Sequence, residues 1–332
     1  MSTIGNTRPT LVDIAKSLDP NGKVATVAEL LAQTNEMLAD MAWVEANLPT
    51  GHQMTVRTGL PSPAWRLFNQ GVQPTKSTKA QIVVGIGMLE DWAEVDKALA
   101  DLNGNAAAYR LSEGRAHLEG MNQEMQSTLF YGNSSVAPEE MNGLSVIYSD
   151  PSAANGRNVI DAGGAGSDNS SIWFITWSAE TIFGIYPKGS KAGLSHEDKG
   201  IVTVENAGGV TGALMDAYRD KWEWKAGVAV KDWRHAVRIG SIDISNLVDE
   251  SGAADLTKLM IKASHRLERP KMGRTAVYMN RSLIQYLDTQ RHAAVQAGGG
   301  LTYQNVDGEM IPFFRGFPVR CVDALTEAET AV

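Results

Sequence analysis

Two strand-like runs, His52–Thr58 and Gln81–Ile86, are separated by a stretch that belongs to neither. It reads Leu60-Pro61-Ser62-Pro63, then Trp65-Arg66 and Asn69-Gln70-Gly71, then a polar, turn-rich Pro74–Lys79. Alternation on both sides, with Pro and Gly between, predicts an extended hairpin with a long polar tip. A two-stranded projection cannot bury its own faces. A chain built this way needs another surface, and no other feature constrains it as much. Pro61 and Pro63 stiffen the tip, which carries a large aromatic, Trp65, that its own strands cannot cover. Trp and Arg are the residue types most enriched at interface hot spots, so Trp65 and Arg66 are the expected anchor. The alternative is that Trp65 folds back onto the core of its own chain.

Beyond the hairpin, residues 91–132 are strongly helical. Trp92, Val95, Leu99 and Leu102 form one apolar stripe, broken at Gly104. Leu111, Leu118, Met121, Met125 and Leu129 form a second, which stops at Gly132. A helix from Asn105 to Tyr131 is about 40 Å long, and so narrow a stripe predicts a beam laid across a sheet. Ile172–Trp177 is apolar at alternate and intervening positions, as in a strand buried on both faces. Trp222, Trp224, Val228 and Val230 share one period-2 phase, and Val237 and Ile239 another with Ile242 beyond them, which predicts two long strands with a break near Lys231-Asp232. Leu256, Leu259, Met260, Ala263 and Leu267 mark a helix, Thr275–Met279 a strand, Asn280 the cap of a helix through Leu287, and Val319–Val322 a last short strand. Residues 150–171, 187–200 and 296–300 read as loops. Residues 1–25 read as an extended polar arm. A capping box at Thr26 and Glu29 then opens an amphipathic helix through Leu30, Leu31, Met37, Leu38 and Met41. That helix is either part of the arm or the first helix of the core. With no βαβ regularity and no repeat, the fold class is α+β.

Composition narrows the possible work. Lys plus Arg number 30 against 38 Asp plus Glu, for a net charge of −8. Without a basic run, such a balance argues against nucleic-acid binding, which needs clustered cations. The single cysteine, Cys321, allows no intrachain disulfide and reads as a buried, inert thiol. No signal peptide or membrane-length apolar run is seen, so a soluble cytoplasmic protein is expected. There is no phosphate loop, no nucleophile elbow and no H-E-x-x-H. Gly85-Ile86-Gly87 lacks the third glycine of a dinucleotide fingerprint, and the six histidines lie too far apart to be ligands. Trp222 and Trp224 read as core rather than as a platform for bases. No catalytic, cofactor or metal site is expected.

An arm, a projecting hairpin, a beam helix and a mixed domain, in that order, resemble the tailed-bacteriophage major capsid family with its Hong Kong phage capsid fold. The local patterns that carry the resemblance span nearly the whole chain. Leu60-Pro61 through Trp65-Arg66 and Asn69-Gln70-Gly71-Val72 is similar to the extended loop of capsid subunits from short-tailed phages, and Leu111–Tyr131, followed by Asn142-Gly143-Leu144, to the spine helix of the peripheral domain. Val277-Tyr278-Met279-Asn280-Arg281 is similar to the strand-to-helix step of the axial domain, and Gly316-Phe317-Pro318-Val319 with Asp323 to its G-x-P-V segment. Trp222–Ile244 adds a podophage-like pattern.

The resemblance implies an arm at 1–49, an extended loop at 50–90, a peripheral domain at 91–140 and 201–245, and an axial domain at 141–200 and 246–332. Because the long strands precede the G-x-P-V segment, a rearranged strand connectivity is expected. Leu60, Pro61, Trp65, Arg66, Asn69 and Gln70 become the candidate intersubunit contacts. The implied function is self-assembly, as hexamers and pentamers, into an icosahedral head that encloses double-stranded DNA without binding it specifically. Portal and scaffold or cementing proteins are the implied further partners, with no membrane, no cofactor and no catalysis. The virion is the implied location, assembled in the host bacterial cytoplasm. Some relatives of this fold join neighbours through a Lys–Asn isopeptide bond. Lys76 and Lys79 sit where such a lysine would lie, but no catalytic carboxylate or acceptor asparagine stands at a matching position, so no bond is expected. Two other possibilities stay open from sequence: an encapsulin-like compartment subunit and a cytoplasmic enzyme without a recognisable motif.

Overall fold

One nine-residue strand, Asn169–Trp177, is buried at every position. The computed structural model describes residues 8–9, 33, 35–101, 105–205, 211–249, 254–293, 301–306 and 309–332. In chain order the strands are β1 (Trp43–Glu45), β2 (Gly51–Gly59), β3 (Thr78–Gly85), β4 (Gly87–Asp96), β5 (Val159–Asp161), β6 (Asn169–Trp177), β7 (Ile182–Tyr186), β8 (Leu194–Glu205), β9 (Leu214–Val230), β10 (Ala236–Asp243), β11 (Arg274–Met279), β12 (Leu301–Val306), β13 (Glu309–Phe314) and β14 (Phe317–Cys321). The helices are α1 (Met37–Asp40), α2 (Lys97–Ala100), α3 (Ala106–Tyr131), α4 (Leu144–Ile147), α5 (Ile244–Asp249), α6 (Leu256–Arg266) and α7 (Arg281–Ala293). The chain divides into two units. One takes the described residues of 1–34, 88–126 and 193–225, the other those of 35–87, 127–192 and 226–332.

In the first unit β9 runs antiparallel to β8, from Leu194 opposite Trp224 to Glu205 opposite Leu214, and has β4 on its other side. The long helix α3 is continuous, as its spacing predicts, but its phase differs from expectation. Tyr109, Met121 and Met125 are buried, whereas Leu111 and Leu118 are 62 % and 39 % exposed in the single chain. Trp222 explains the phase. It packs with Met121 and Ala93, and a Cβ at position 114 would lie 3.2 Å from its Cζ2. A glycine there lets the helix meet so large a side chain without pushing it aside, and that contact goes with the face turned to the sheet.

In the second unit β6 pairs antiparallel with β11 on one edge and with β10 on the other. β11 continues in parallel to β14, which is followed by β13 and β12. Ile172–Trp177, Thr275–Met279 and Val319–Cys321 thus share one sheet, and the end of β9 joins it beside β7, with Val230 opposite Ile182. The expectation that residues 222–242 stay together is corrected. Trp222 and Trp224 pair with β8 in the first unit, whereas Ala236–Asp243 lies between β5 and β6. A break at Trp233–His235 separates them: Asp232 caps a single 3-10 turn through the Arg234 N–H. Helices α6 and α7 cover one face of the sheet, with Leu256, Met260, Ala263, Leu283 and Leu287 against Ile172, Phe174, Val277 and Met279. Asn280 caps α7 as expected, its Oδ1 accepting from the Leu283 N–H at 2.8 Å. Gly132 ends α3, where a Cβ would lie 2.4 Å from the Met141 carbonyl.

Two polar networks tie the chain's ends into this unit. Buried Glu329 accepts from Arg238 at 2.8 Å, from the Tyr131 hydroxyl at 2.5 Å and from Ser171. Burial, with the negative charge of Glu329, holds the Tyr131 phenol far above its ordinary pKa. Buried Asp40 pairs with Arg274 at 2.7 Å and accepts from the Tyr278 hydroxyl at 2.9 Å. Asn35 bridges to Val322 and β1 pairs with β7. Residues 35–45, which sequence left open between arm and core, pair with strands of the second unit. The capping box at Thr26, the break at Gly104 and the loop at 296–300 lie outside the described residues. No described helix is long and apolar enough to cross a membrane.

Candidate functional site

The predicted hairpin exists. β2 and β3 form a two-stranded ribbon of their own, running from Gly51 opposite Gly85 to Gly59 opposite Thr78. Its root is anchored in the second unit. Met54 packs with Phe183, Ile185 and Ala229, and the Asn47 amide exchanges two bonds with the Gln53 backbone, at 2.6 and 2.7 Å. A Cβ at Gly51 would lie 2.5 Å from the Val84 carbonyl oxygen, so the ribbon starts only where a glycine permits that approach. Burial, helped by the charge of Lys231, pushes the His52 imidazole at this root below its ordinary pKa. Further out the ribbon is uncovered on both faces, with Ile82 and Val83 exposed.

Residues 60–77 form the tip, with a single turn near Phe68-Asn69. Asn69 adopts a left-handed φ of 65°, and the Gln70 N–H donates to the Leu67 carbonyl at 3.3 Å. All six expected contact residues, Leu60, Pro61, Trp65, Arg66, Asn69 and Gln70, lie in this segment and all are exposed. Trp65 is as open as in an extended chain, at 104 %, so it does not fold back onto its own core. Leu67 and Phe68 are exposed beside it, Phe68 at 95 %. Neither is in the expected set, although an apolar pair inside a Pro- and Gly-bounded tip marks them. A second signal is charge: from Ala46 to Leu89 there is no Asp or Glu, while Arg57, Arg66, Lys76 and Lys79 all occur. A basic tip with uncovered aromatics, on an acidic chain, is suited to a partner surface of apolar and acidic character.

The first unit holds a groove of about 400 Å³ between α3 and β8, lined by Leu111, Leu118, Leu194 and Trp222. Arg110 spans its floor, reaching Asp220 and Asp198 at 2.8 Å each. That pairing pulls the Asp198 carboxyl below its ordinary pKa. His117 and His196 stack on Trp222 and bond to Asp91 and Asp220, at 2.6 and 3.0 Å. Every one of these polar groups is matched to another, as in a structural network. Among the described residues no three His, Cys, Asp or Glu side chains are grouped to hold a metal. Burial pushes the Cys321 thiol up to about 11, so it is a poor nucleophile.

The geometry thus offers an assembly surface, and relatives identify the assembly. The family model for major capsid protein GP7 matches residues 19–332. The chain belongs to that family. A solved structure of bacteriophage Epsilon15 is 34 % identical, with a TM-score of 0.74, over 100 % of this chain and 99 % of that one. Two more distant structures were compared. One is the capsid of a native GTA particle, 10 % identical, TM-score 0.44, over 68 % of this chain and 95 % of that one. The other is a Synechococcus elongatus encapsulin complex, 12 % identical, TM-score 0.42, over 66 % and 91 %. No curated protein sequence matches. The chain is a shell subunit of a phage head, with the Hong Kong phage-type fold of mixed helix and strand. It is a virion protein that forms a multimeric, icosahedral shell. Membership decides for the phage shell against the encapsulin-like compartment.

Proposed function

We propose that the tip at residues 60–77 is the clamp that joins one capsid subunit to the next, with Trp65 and Arg66 as its anchor and Leu60, Pro61, Asn69 and Gln70 around them. The observation that supports this is the full exposure of Trp65 at the end of a ribbon whose root is fixed in the body. Burying an aromatic of this size against a neighbour contributes about 2–3 kcal/mol, repeated at every subunit. Weak contacts made in numbers close a shell that no single one could hold.

Around that clamp the remaining proposals follow. The subunits gather as hexamers and pentamers, with α3 as spine of the peripheral part and the β6–β11–β14 sheet as the axial part. In chain order the long strands β8 and β9 precede β11 and β14, which supports the rearranged connectivity. The shell is assembled in the host bacterial cytoplasm, with portal and scaffold or cementing proteins, and encloses double-stranded DNA without reading its sequence. The subunit performs no catalysis; its activity is assembly. Lys76 and Lys79 form no isopeptide bond. Limited trypsin treatment tests the clamp. Cleavage after Arg66 is expected to be fast in unassembled subunits and suppressed in closed shells. Equal cleavage in both states would show that the tip stays uncovered.

A further inference from the structure

Helix α6 turns Leu256, Met260 and Ala263 inward and leaves Lys258, Ile261, Lys262 and His265 exposed. From Leu256 to Arg274 the chain carries Lys258, Lys262, Arg266, Arg269, Lys271 and Arg274 against one acid, Glu268. That is a local excess of cations in a chain of net charge −8. Some of it is neutralised or structural. Lys258 pairs with Asp255 at 3.0 Å, Arg274 with Asp40, and Glu268 with Arg234 at 3.7 Å. Arg266 donates to the Val159 carbonyl at 3.2 Å and to that of Arg157, a cation at a helix C-terminus where the dipole favours it.

Lys262, Arg269 and Lys271 remain, exposed and without a carboxylate partner among the described residues. Tertiary structure adds two more. Exposed Arg157 lies against Arg266, whose guanidinium is pulled below its ordinary pKa by burial first and by the charge of Arg157 second. Exposed Arg315 donates to Ser264 Oγ at 3.1 Å and stands 3.1 Å from His265 Nε2. Of these, Arg157 and Arg266 are like charges held together, which is destabilising. Backbone strain accompanies them: among the described residues only four that are not glycine have positive φ, and Arg269 (41°) and Arg315 (50°) are two of the four. Strain of this kind gathers at functional positions.

We propose that the outer face of α6, with Arg157, Lys262, Arg269, Lys271 and Arg315, binds the phosphate backbone of double-stranded nucleic acid without regard to sequence. Cations without a carboxylate partner on α6, in the turn that follows it and in the segments that meet it match a polyanion with closely spaced charges, which releases its counterions on binding. No Trp, Tyr or Phe lies on the exposed face of α6 to stack on a base, so the contact is to the backbone. Net charge hides this surface because the surplus acids lie elsewhere in the chain.

Binding of the purified, unassembled subunit to a short fluorescent duplex of random sequence, titrated against salt, tests the proposal. With about four cations on phosphates, affinity is expected to fall about a hundredfold between about 50 and about 200 mM salt. Replacing Lys262, Lys271 and Arg269 by Gln together is expected to lower affinity at least about tenfold at the lower salt and flatten the salt slope by about 2.7. Lys79→Gln with Lys188→Gln and Lys191→Gln removes the same charge from exposed positions elsewhere in the chain and is expected to leave binding unchanged. Thermal melts check that each variant is folded, and Lys262→Gln with Lys271→Gln replaces the triple variant if it is not. No salt-dependent binding by the native chain, equal loss in both triple variants, or competition by polyglutamate as effective as that by duplex would each overturn it.

Discussion

Glu329 offers a sharp test of how the C-terminal segment is held. Its carboxylate is 3 % exposed and accepts from Arg238, Tyr131 and Ser171. Glu329→Ala would leave Arg238, itself 6 % exposed, with the Tyr148 carbonyl at 3.0 Å, Ser171 Oγ at 3.2 Å and the Trp173 ring centroid 5.4 Å from its Cζ. None of these carries a charge to neutralise it. Breaking a buried pair by removing one partner costs about 3–5 kcal/mol, because the other charge is left uncompensated. At about 2–4 °C per kcal/mol for a domain of this size, the melting temperature should fall by about 6–20 °C. The loss resides in the stranded cation, so Arg238→Met with Glu329→Leu should recover most of it. Urea or thermal unfolding of the purified subunit, followed by circular dichroism, measures both. A single variant within about 1 kcal/mol of native, or a double variant less stable than the single, would refute the reasoning.

Other consequences are also measurable. Gly114→Val should destabilise the first unit by about 1–3 kcal/mol, because its side chain must displace Trp222; unfolding followed by tryptophan fluorescence reads this. Burial lowers the pKa of His52 and His235. Their unfolded forms therefore bind protons first, so stability is complete above the ordinary histidine value of about 6.5 and declines as pH falls below it. His52→Gln should flatten part of that decline in a pH series of melts, and an unchanged slope would contradict it. Boiled, denatured shells should run as one monomer band on a gel, since Lys76 and Lys79 form no covalent bond; a ladder of multimers would contradict that.

Much of the fold is legible in the sequence because single strands and helices carry their own periodicity. β6 is apolar at both parities and is buried on both faces; α3 keeps helical spacing from its start to the stop at Gly132. Neighbour relations are less legible. Val237, Ile239 and Ile242 show that β10 is a strand, but alternation is the same whether its partner is β9 or β6. Helix phase goes with a contact at long range: Leu111 and Leu118 look like a core stripe, yet the buried face is the one where Gly114 meets Trp222. At the tip, Pro61 and Pro63 made the projection readable and Trp65 conspicuous. Leu67 and Phe68 were harder to see because exposed and buried apolar residues look alike without a burial pattern around them. The cations Arg157 and Arg315 meet α6 only through tertiary folding.

The most direct test of the clamp is assembly of the Trp65→Ala, Arg66→Ala double variant, observed by electron microscopy beside its circular dichroism spectrum. Both side chains are exposed in the single chain, so their removal should cost the fold almost nothing. A soluble subunit with a native spectrum that forms no closed shells is the expected result. Normal shells, or an unfolded chain, would show that the tip is not what joins one subunit to the next.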